Sequence, residues 1–525
     1  MTNTENAENP AGQLPVHPFL YQDSYYSTVH YNASQSDISE YAYGRGERVV
    51  TPEQLKFAPG GLNNGGHAHR RYADGREAII ASGSARVAKY RFDGGRLELI
   101  NELRIESGES EYMSAEDLEQ LVADLDRAGT GEDQFLAITQ AVVNKTGYGS
   151  ETLPNGMYTL MDHEGYFYAG YGTTLYKFGD AEPGDADSDL KVIAKCDLKE
   201  RLPADLASEV SRFLGINMTY DGYVVVALSG MIGVIDRTFE NWWYTSVPGE
   251  AIDNGVVVDV TDGVHGIYVV TSQYMRKLVW TGSALSMEKA DGAWKEPYDW
   301  VRKENSFSRG SGTTPTLMGY GPDADRLVLI ADQGDPVKVV AFWRDEIPKG
   351  AKKVKGAKSK RTAGSIAISF PVRTTIEWSP YVHGYGTMFL ASEFMDPVLL
   401  DGEIDIFSTM LTIGQTRPAP KGAEKFVWNP ETREFERKWC YDKEGLSWSL
   451  SPISTSENVV YLNTIKEGVY KMVGLDWESG EPVGAITLGK SVKFNVAGTF
   501  LSPLPDGSLY IHGLFGPIRI ADIVG

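Results

Sequence analysis

The stretch that decides the fold is Met161 to Phe178, MDHEGYFYAGYGTTLYKF, in which a Gly-containing turn opens onto two short runs of β-favouring residues. A second copy of this pattern is Met218 to Asp236, MTYDGYVVVALSGMIGVID. Aromatic and β-branched residues favour strands, and glycine supplies the backbone conformations of tight turns. Each stretch therefore predicts a turn followed by a pair of antiparallel strands.

The same pattern of turn and strand pair recurs along the whole chain. A series of small antiparallel sheets buries its faces most simply by packing side by side in a ring. The sequence therefore predicts an all-β protein with the β-propeller fold, with seven blades favoured and eight possible. The turns that open the strand pairs lie near Gly75, Gly165, Gly222, Gly263, Asp325, Gly386, Asn458 and Gly507.

The predicted propeller is one domain over residues 17–525, preceded by a disordered tail over residues 1–16. Residues 112–146 are expected to form an inserted helical hairpin, because apolar residues recur there at helical spacing after a capping serine. The hairpin either covers a mouth of the central channel or only packs on the flank of a blade. Residues 347–363 form a basic insertion, interpreted as a solvated loop that could also bind an anionic partner.

The last blade presents a gap, because the strands within Ser508–Ile520 are short of partners. Propellers often close by pairing an early strand with the last blade, which removes an open sheet edge. The aromatic segment from Pro18 to Tyr26 is predicted to supply that strand.

Charge and composition exclude several classes of function. The formal net charge of −21 argues against binding nucleic acid or anionic lipid, since both reward a basic surface. The amino terminus lacks the features of a secretory signal, and no apolar run is long enough for a membrane helix, so a cytoplasmic location is expected. Two cysteines provide no disulfide framework or cysteine-rich zinc site.

Two asparagines stand just before predicted inner strands, Asn217 and Asn254, where side chains ring a channel mouth. The region Gly215–Trp280 resembles the propeller superfamily of gluconolactonases, senescence-marker-like lactonases and strictosidine-synthase-like proteins. That resemblance implies that an asparagine in this position points into the channel and coordinates calcium. The channel acid of that family has no matching motif here, and Glu393 and Asp332 are the candidates.

Histidine is sparse, but one pair is close in sequence, His67 and His69. If this segment is a strand, both rings point to one face, which suits a transition-metal site or an acid–base pair. A polar loop that bonds the backbone is the alternative. The other histidines are scattered, and some could converge in the channel: His17, His30, His163, His265, His383 and His512.

The small-residue loop Ser308–Thr316 could hold an anion or an oxyanion through backbone amides and hydroxyls. Its predicted substrate-binding residues are Ser311, Thr313 and Thr314. No Gly-x-Ser-x-Gly elbow, His-Glu-x-x-His motif or dinucleotide fingerprint occurs in the chain. These absences disfavour a serine hydrolase and a nicotinamide enzyme.

The leading hypothesis is an enzyme that acts on a small organic molecule at the channel mouth by metal-assisted hydrolysis of a lactone or ester. Asn217, Asn254 and Glu393 would hold a divalent metal, most plausibly calcium, with His67 or His69 as the general base. Two alternatives remain: a metal-free lyase or isomerase in the same channel, and a non-enzymatic scaffold that presents its loops to a protein partner.

Overall fold

The structure is a computed structural model and describes residues 11–62, 65–106, 112–147, 156–303, 308–370 and 375–524. In these ranges the strands form eight sheets of four or more strands and one two-stranded hairpin. Neighbouring strands within each blade run antiparallel. Sheets of this size, repeated along the chain, are the blades of a β-propeller.

Three short strands come before the first complete blade and join sheets formed later in the chain: β1 (Ile38–Ser39), β2 (Gly46–Val49) and β3 (Leu55–Phe57). Blades 1 to 4 then follow in chain order. Blade 1 contains β4 (His67–Arg71), β5 (Glu77–Gly83), β6 (Arg86–Arg91) and β7 (Glu98–Arg104). Blade 2 contains β8 (Thr159–Met161), β9 (Phe167–Tyr171), β10 (Thr174–Asp180) and β11 (Leu190–Asp197). Blade 3 contains β12 (Phe213–Met218), β13 (Val224–Leu228), β14 (Met231–Ile235) and β15 (Trp242–Ser246). Blade 4 contains β16 (Val256–Thr261), β17 (Val264–Val270), β18 (Tyr274–Trp280), β19 (Leu285–Ser286) and β20 (Trp294–Pro297).

Blades 5 to 8 complete the ring. Blade 5 contains β21 (Thr316–Met318), β22 (Leu327–Ala331), β23 (Lys338–Trp343) and β24 (Thr362–Ala367). Blade 6 contains β25 (Tyr381–His383) and β26 (Gly386–Leu390), then the separate hairpin β27 (Leu399–Leu400) and β28 (Glu403–Ile404), then β29 (Ala423–Asn429) and β30 (Glu434–Tyr441). Blade 7 contains β31 (Gly445–Leu446), β32 (Ile453–Ser454), β33 (Val459–Lys466), β34 (Val469–Asp476) and β35 (Pro482–Gly489), and blade 8 contains β36 (Leu501–Pro503), β37 (Leu509–Gly513) and β38 (Gly516–Ile520).

The first strands of the blades face the centre of the ring and contact one another, as β4, β8, β12 and β16 do in succession. Between blades the core is apolar: β13, for example, has the sequence VVVAL and is buried along its whole length. Blade 8 returns to blade 1, where the ring of His67 on β4 lies 4.8 Å from that of Tyr510 on β37. Burial of both faces of each small sheet explains why a ring is needed.

The ring has eight blades in the described part of the chain, one more than the number that the sequence favoured. All eight predicted strand pairs are present. The last blade is complete because β3 pairs antiparallel with β38, from Leu55 opposite Ile520 to Phe57 opposite Ile518. The prediction that an early strand closes the last blade is therefore confirmed, but the segment from Pro18 to Tyr26 does not supply it.

That aromatic segment instead enters the centre of the ring. Residues 19–39, here named the channel segment, contact the inner face of every blade, and β1 at its end pairs in parallel with β32. From blade 1 to blade 8 the blade residues that bond to it are His69, Met161, Asn217, Val258, Leu317, Val382, Ile453 and Leu501. The chain's own residues therefore occupy the axis of the propeller.

Helices lie in the connections between strands: α1 (Ala115–Ala128), α2 (Glu132–Thr146), α3 (Ala204–Glu209) and α4 (Ile406–Thr412). Single 3₁₀ turns lie at Pro52–Gln54, Asp93–Gly95, Lys199–Arg201, Lys289–Asp291 and Val492–Phe494. Helices α1 and α2 fall inside the predicted insertion 112–146, with Ser114 as the amino-terminal cap of α1. They pack with α4 in one apolar cluster that also includes Trp448 and Phe515.

The two remaining boundary predictions concern residues 1–16 and the basic insertion. Residues 1–10 lie outside the described residues, whereas the carbonyl of Ala11 accepts a hydrogen bond from the amide of Tyr320 at 2.7 Å, so packing on the propeller begins before residue 17. Residues 347–363 connect β23 to β24, and Arg361 at the end of this insertion stacks over Trp294 at 5.0 Å. No helix in the described ranges is long and apolar enough to cross a membrane.

Candidate active site

A partly enclosed cavity lies at the end of the ring where the chain enters the inner strands. Its volume is about 40 Å³. Its floor is the channel segment, and its walls are loops of blades 2, 4, 5, 6, 7 and 8. The lining residues are Val29, His30, Met157, Tyr158, Asn254, Thr314, Glu377, Trp378, Ser379, Trp448, Gly498 and Phe500.

Two of the lining residues are bonded to each other and to a buried carboxylate. The Oγ atom of Ser379 lies 3.1 Å from Nε2 of His30. The Nδ1 atom of the same ring lies 3.0 Å from both carboxylate oxygens of Asp37. All three side chains are buried. When Asp37 accepts a hydrogen bond from Nδ1–H of His30, Nε2 is free to accept one from the serine hydroxyl, which is the arrangement of a Ser–His–Asp triad.

The backbone of the channel segment places His30 and Asp37 by folding tightly on itself. His30 and Asp37 have positive φ angles of 60° and 53°, a backbone region that residues other than glycine seldom occupy. The amide of Asp37 donates to the carbonyl of His30 at 3.3 Å. Asn32 supports the turn, since its side-chain oxygen accepts from the amide of Ser34 at 3.1 Å. Such backbone conformations each cost of order 1–3 kcal/mol and are concentrated at functional sites.

Ser379 comes from the opposite side of the cavity, directly before the inner strand β25 of blade 6. Pro380 follows it and favours extended backbone at the serine, because the proline ring clashes with a helical residue before it. The serine is therefore held in the strand entry that faces the channel segment. The two halves of the triad are brought together only by closure of the ring around that segment, over 349 positions of sequence.

Burial and the histidine act in opposite directions on Asp37. Burial raises the pKa of this carboxyl above its ordinary value, and the neighbouring His30 opposes part of that shift. An imidazolium formed at His30 would be stabilised most by the ionised carboxylate, because Coulomb interactions are stronger away from bulk water. The pair is thus suited to take a proton from Ser379 and hold it temporarily.

Hydrogen-bond donors are also present at the cavity. The indole Nε1 of Trp378, one residue before the serine, is buried and has no acceptor among the described residues. Tyr158 carries a hydroxyl whose pKa is raised to about 12, chiefly by burial, and which bonds to the side chain of Thr314. A buried N–H group without a partner is costly, so Trp378 is prepared to bond to an oxygen of a ligand.

Some residues predicted from sequence do line this cavity. Asn254 and Thr314 are among its walls, and the Nδ2 group of Asn254 donates to the carbonyl of Ser311 at 3.3 Å. Ser311 and Thr313 lie behind them, with their hydroxyl oxygens 2.8 Å apart. The Ser311 hydroxyl donates to the carbonyl of Ala331 at 2.6 Å, so it ties the loop to blade 5.

Asn217 is buried, and its side chain is fully engaged with the backbone. Its Nδ2 group donates to the carbonyls of Ala33 and Val256 at 3.1 and 2.9 Å. Its oxygen accepts from the amide of Met218 at 2.9 Å. These bonds join blades 3 and 4 to the channel segment, which accounts for a buried asparagine at this position.

His67 and His69 lie on β4 and are not among the lining residues of the cavity. Their rings stack on Tyr26 and Tyr25, with centroids 4.0 and 3.8 Å apart. Burial lowers the pKa of both histidines, and that of His67 falls well below its ordinary value. His67 and His69 therefore pack against the channel segment. The histidine that lines the cavity is His30.

Asp332 and Glu393 lie in loops of blades 5 and 6 that follow β22 and β26. The Oδ1 atom of Asp332 accepts from the amide of Lys338 at 2.7 Å, and burial raises the pKa of this carboxyl to about 6. Burial raises the pKa of Glu393 to about 7, and the charge of Lys303 partly opposes the shift. Both carboxyl groups act on the ammonium group of Lys303, as does that of Glu377 in the cavity wall.

One compact group of metal-type ligands occurs among the described residues, at Asp162, His163 and Glu164. It lies in the turn between β8 and β9, away from the cavity. Arg237 reaches this group, with its guanidinium 2.7 Å from Glu164 and 3.4 Å from Asp162. A cationic side chain therefore already balances the charge that a metal ion would neutralise.

Sequence reasoning missed the triad because its members share no motif. The rule that selected Asn254, a polar residue just before an inner strand, applies equally to Ser379 in Trp378-Ser379-Pro380. His30 appeared only among histidines that could converge in the channel. The missing Gly-x-Ser-x-Gly elbow excludes one way of presenting a serine, and blade 6 presents Ser379 by another.

The fold and the site define the class of protein as a β-propeller with a buried Ser–His–Asp cluster at the channel mouth. No protein-family model matches the sequence. A curated protein of Archaeoglobus fulgidus, described as an uncharacterized protein, is 28% identical over 323 residues, which cover 59% of this chain. The matched part spans 61% of the length of that relative.

Several solved structures resemble this chain at the level of fold alone. Quinohemoprotein alcohol dehydrogenase ADHIIG from Pseudomonas putida HK5 is 10% identical with a TM-score of 0.49, over 93% of this chain and 75% of that one. Europium-containing methanol dehydrogenase is 10% identical with a TM-score of 0.49, over 92% and 89%. The Dos1 propeller is 8% identical with a TM-score of 0.48, over 91% and 95%. The propeller assignment rests on the eight sheets themselves.

Proposed function

We propose that this protein is a serine hydrolase that cleaves the ester or lactone bond of a small organic molecule in the cavity. The observation that carries the proposal is the position of His30, which bonds to Ser379 through one ring nitrogen and to Asp37 through the other. A histidine bridged in this way has its tautomer fixed and can act as a general base towards the serine.

In the first half of the reaction, Oγ of Ser379 attacks the carbonyl carbon while its proton passes to Nε2 of His30. Asp37 stabilises the resulting imidazolium. The indole N–H of Trp378 is the candidate donor to the oxyanion that forms on the carbonyl oxygen. Collapse of the tetrahedral intermediate breaks the C–O bond, and the alcohol oxygen takes the proton back from His30.

In the second half, water attacks the acyl-serine ester and gives its proton to His30. Collapse of the second intermediate returns that proton to Oγ of Ser379 and releases the acid. With a lactone, the leaving hydroxyl stays on the acyl chain, so this step releases a hydroxy acid. The net reaction is addition of one water across one ester bond, and it needs no oxidant or reductant.

The lining of the cavity supports this proposal. Much of its wall is apolar or aromatic, as in small-molecule sites, and its volume of about 40 Å³ favours a small ester or lactone. Met157, Trp448 and Phe500 provide the apolar part. A hydrophobic acyl or alcohol group would be held there while the polar ester lies against Ser379.

Covalent labelling tests the proposal without knowledge of the natural substrate. An alkyl fluorophosphonate should form a bond from phosphorus to Oγ of Ser379 and release fluoride. Mass spectrometry of the digested protein would identify the labelled residue. The Ser379→Ala variant should lose both this label and hydrolysis of 4-nitrophenyl butyrate. Ser211→Ala, at an exposed serine outside the cavity, is the matched control and should retain both.

Two results would contradict the proposal. One is the absence of label at Ser379 in folded wild-type protein. The other is 4-nitrophenyl ester hydrolysis that is equally fast in the wild type and in Ser379→Ala. In either case the metal-free lyase or isomerase would become the leading hypothesis for this cavity.

A further inference from the structure

A second, open cleft lies beside the outer strands of blade 4, where the basic insertion of residues 347–363 meets that blade. Its volume is about 980 Å³, which lies in the range of binding sites. One side is formed by the turn Lys289–Asp291 and by β20. The other side is formed by residues 345–347 and Arg361, around the two ends of the insertion. The cleft is therefore large enough for a ligand, and the proposed hydrolysis does not use it.

The insertion is attached to blade 4 by polar bonds. The amide and the hydroxyl of Ser359 donate to the two carboxylate oxygens of Glu296 at 2.9 and 2.8 Å. Arg361 lies over the ring of Trp294 and donates to the carbonyl of Trp343 at 2.8 Å. Glu296 is 5% exposed, so its bonds to Ser359 are shielded from water. The insertion therefore has a fixed place beside the cleft, and binding there would need little additional ordering.

The insertion concentrates positive charge on a molecule that is acidic as a whole. Residues 347–363 contain six lysines and Arg361 but no acidic residue, in a chain with a formal net charge of −21. All six lysines are exposed: Lys349, Lys352, Lys353, Lys355, Lys358 and Lys360. No carboxylate of the described residues lies within 4.0 Å of any of these ammonium groups. By contrast, Lys277 in the cleft is paired with Asp345 at 2.9 Å. The insertion lysines are therefore available to an anionic partner.

The cleft also offers apolar surface to a ligand. Met287 and Ile347 line it and are 44% and 36% exposed, and Leu278 lines its buried part. Covering an exposed apolar side chain stabilises an association, because that area is removed from water. Lys289 and Lys295 are exposed in the same cleft. A ligand that carries both an apolar side chain and negative charges would use both features.

The acidic residues of the lining distinguish between anionic partners. Asp262 and Glu346 are exposed in the cleft. They would repel the continuous phosphate charge of a nucleic acid or a lipid surface, as would the acidic molecule as a whole. A peptide has N–H donors between its carboxylates, so it can place donors on these two acids and carboxylates on the lysines. The other carboxylates of the lining already have donors or cations within the chain: Asp291, Glu296 and Asp345. The lining therefore favours a short acidic peptide.

We propose that this surface, here named the basic groove, docks an acidic peptide segment of a partner protein. The basic groove consists of Met287, Lys289, Lys295, Ile347 and the six insertion lysines. An apolar side chain of the segment would lie in the cleft against Met287 and Ile347, and its carboxylates would pair with lysines on both sides. Each exposed ion pair contributes little alone, so the affinity would depend on several pairs and would fall with salt. This role is independent of the hydrolysis proposed for the cavity.

Fluorescence anisotropy of a labelled peptide tests the basic groove. The probe is fluorescein-labelled DEELFEEDEE, which the wild type should bind saturably at about 0.15 M NaCl and more weakly as the salt concentration rises. The triple variant Lys352→Glu, Lys353→Glu and Lys355→Glu should bind the probe at least about tenfold more weakly. The matched control reverses three exposed lysines on other blades and changes the net charge equally: Lys195→Glu, Lys199→Glu and Lys490→Glu. The control should bind the probe nearly as tightly as the wild type does.

A substitution in the cleft separates the apolar contact from the charges. Met287→Ser should weaken binding of the probe roughly fivefold, because less apolar area is covered. A second peptide, in which serines replace the leucine and phenylalanine of the probe, should bind equally well to the wild type and to Met287→Ser.

Several results would overturn the proposal. The absence of saturable probe binding to folded wild-type protein is one, and equal weakening in the two triple variants, which would report net charge alone, is another. Tighter binding of a short DNA duplex than of the probe would assign the surface to nucleic acid instead. A wild-type dimer in analytical ultracentrifugation that the insertion variant abolishes, without added peptide, would assign it to a second copy of this chain.

Discussion

His30 joins the two halves of the site, and its surroundings explain why the proposed reaction depends so strongly on this one residue. Its ring is fixed at both nitrogens, by Asp37 from the channel segment and by Ser379 from blade 6. Free rotation of the imidazole would break both bonds at once. The positive φ at His30 is the local cost of this placement.

Replacement of Asp37 by asparagine should therefore damage the reaction more than the fold. An amide can donate to Nδ1, which would leave Nε2 protonated and unable to accept from Ser379. By analogy with other triads, kcat for 4-nitrophenyl butyrate should fall by a factor on the order of 10³ to 10⁴. Asp23→Asn, at an exposed position of the same segment, is the control. An Asp37→Asn enzyme with wild-type kcat would contradict the role of this carboxylate.

Glu393 should make the stability of the protein depend on pH. Its pKa rises from 4.5 to about 7 on folding, chiefly through burial, so the folded state favours the protonated carboxyl. This contribution to stability is complete below pH 4.5 and is lost as the pH rises through 7. The full shift corresponds to about 3 kcal/mol of unfolding free energy.

Urea unfolding of wild type and Glu393→Gln at several pH values measures this effect. The variant carries no ionisable group at this position. As the pH rises from 4.5 to 8, the free energy of unfolding of the wild type should therefore fall by up to about 3 kcal/mol relative to that of the variant. A difference between the two proteins that does not change with pH would show that Glu393 ionises in the folded state as it does in water.

The candidate site was partly predictable from sequence at the level of single residues. Thr314 was predicted because it lies in a loop of small residues, and Asn254 because a position before an inner strand is a local property of the chain. Ser379 has the same position, but its chemistry depends on His30, 349 positions away. No local pattern records a contact of that separation, and the pairing follows only from where the channel segment runs.

Among the elements, the channel segment is unusual because most of it is buried at the axis of the ring, although only β1 at its end is a strand. Tyr26 is fully buried and stacks on His67 with centroids 4.0 Å apart and planes 14° apart. Its hydroxyl has no hydrogen-bond partner among the described residues. The ring of Tyr26 therefore contributes packing, whereas its hydroxyl contributes no bond.

Two substitutions at Tyr26 separate these contributions. Tyr26→Ala should lower the free energy of unfolding by about 3–5 kcal/mol, because it leaves a cavity at the axis. Tyr26→Phe should be neutral or slightly stabilising, because it removes a buried hydroxyl without a partner. Urea unfolding of both variants measures the difference. Equal destabilisation by the two changes would show that the hydroxyl is bonded.

Elements with a strong periodic pattern were predicted well, and short ones were not. Helices α1 and α2 lie within the predicted range because apolar residues recur at helical spacing over several turns. The closing strand β3 has three residues, LKF, and no alternation to identify it. Its pairing with β38 is decided by the open edge of blade 8, which is a property of the finished sheet.

At the scale of the whole molecule, two different sets of contacts hold the ring closed. Strand β3 joins the ends of the chain within blade 8, and the channel segment bonds to the inner face of every blade. A blade that separated from the ring would lose contacts with both its neighbours and the axis. The propeller should therefore unfold as one unit.

Cooperative unfolding can be tested with two observables that report different parts of the molecule. Tryptophan fluorescence follows the blades, and susceptibility to a protease that cuts after tyrosine follows the channel segment, with Tyr25, Tyr26 and Tyr31 as its buried sites. Both should change at the same urea concentration. Cleavage of the channel segment at a lower concentration, with fluorescence unchanged, would show that the axis opens before the ring.

The channel segment also sets an order of events during synthesis. It precedes every blade in the sequence, yet the hydroxyl of Tyr31 donates to the carbonyl of Leu501, 470 positions later. The channel segment can therefore complete its bonds only after the later blades have been synthesised. A chain that stops before blade 6 contains His30 and Asp37 but no Ser379, so the three side chains can meet only after blade 6 has been synthesised.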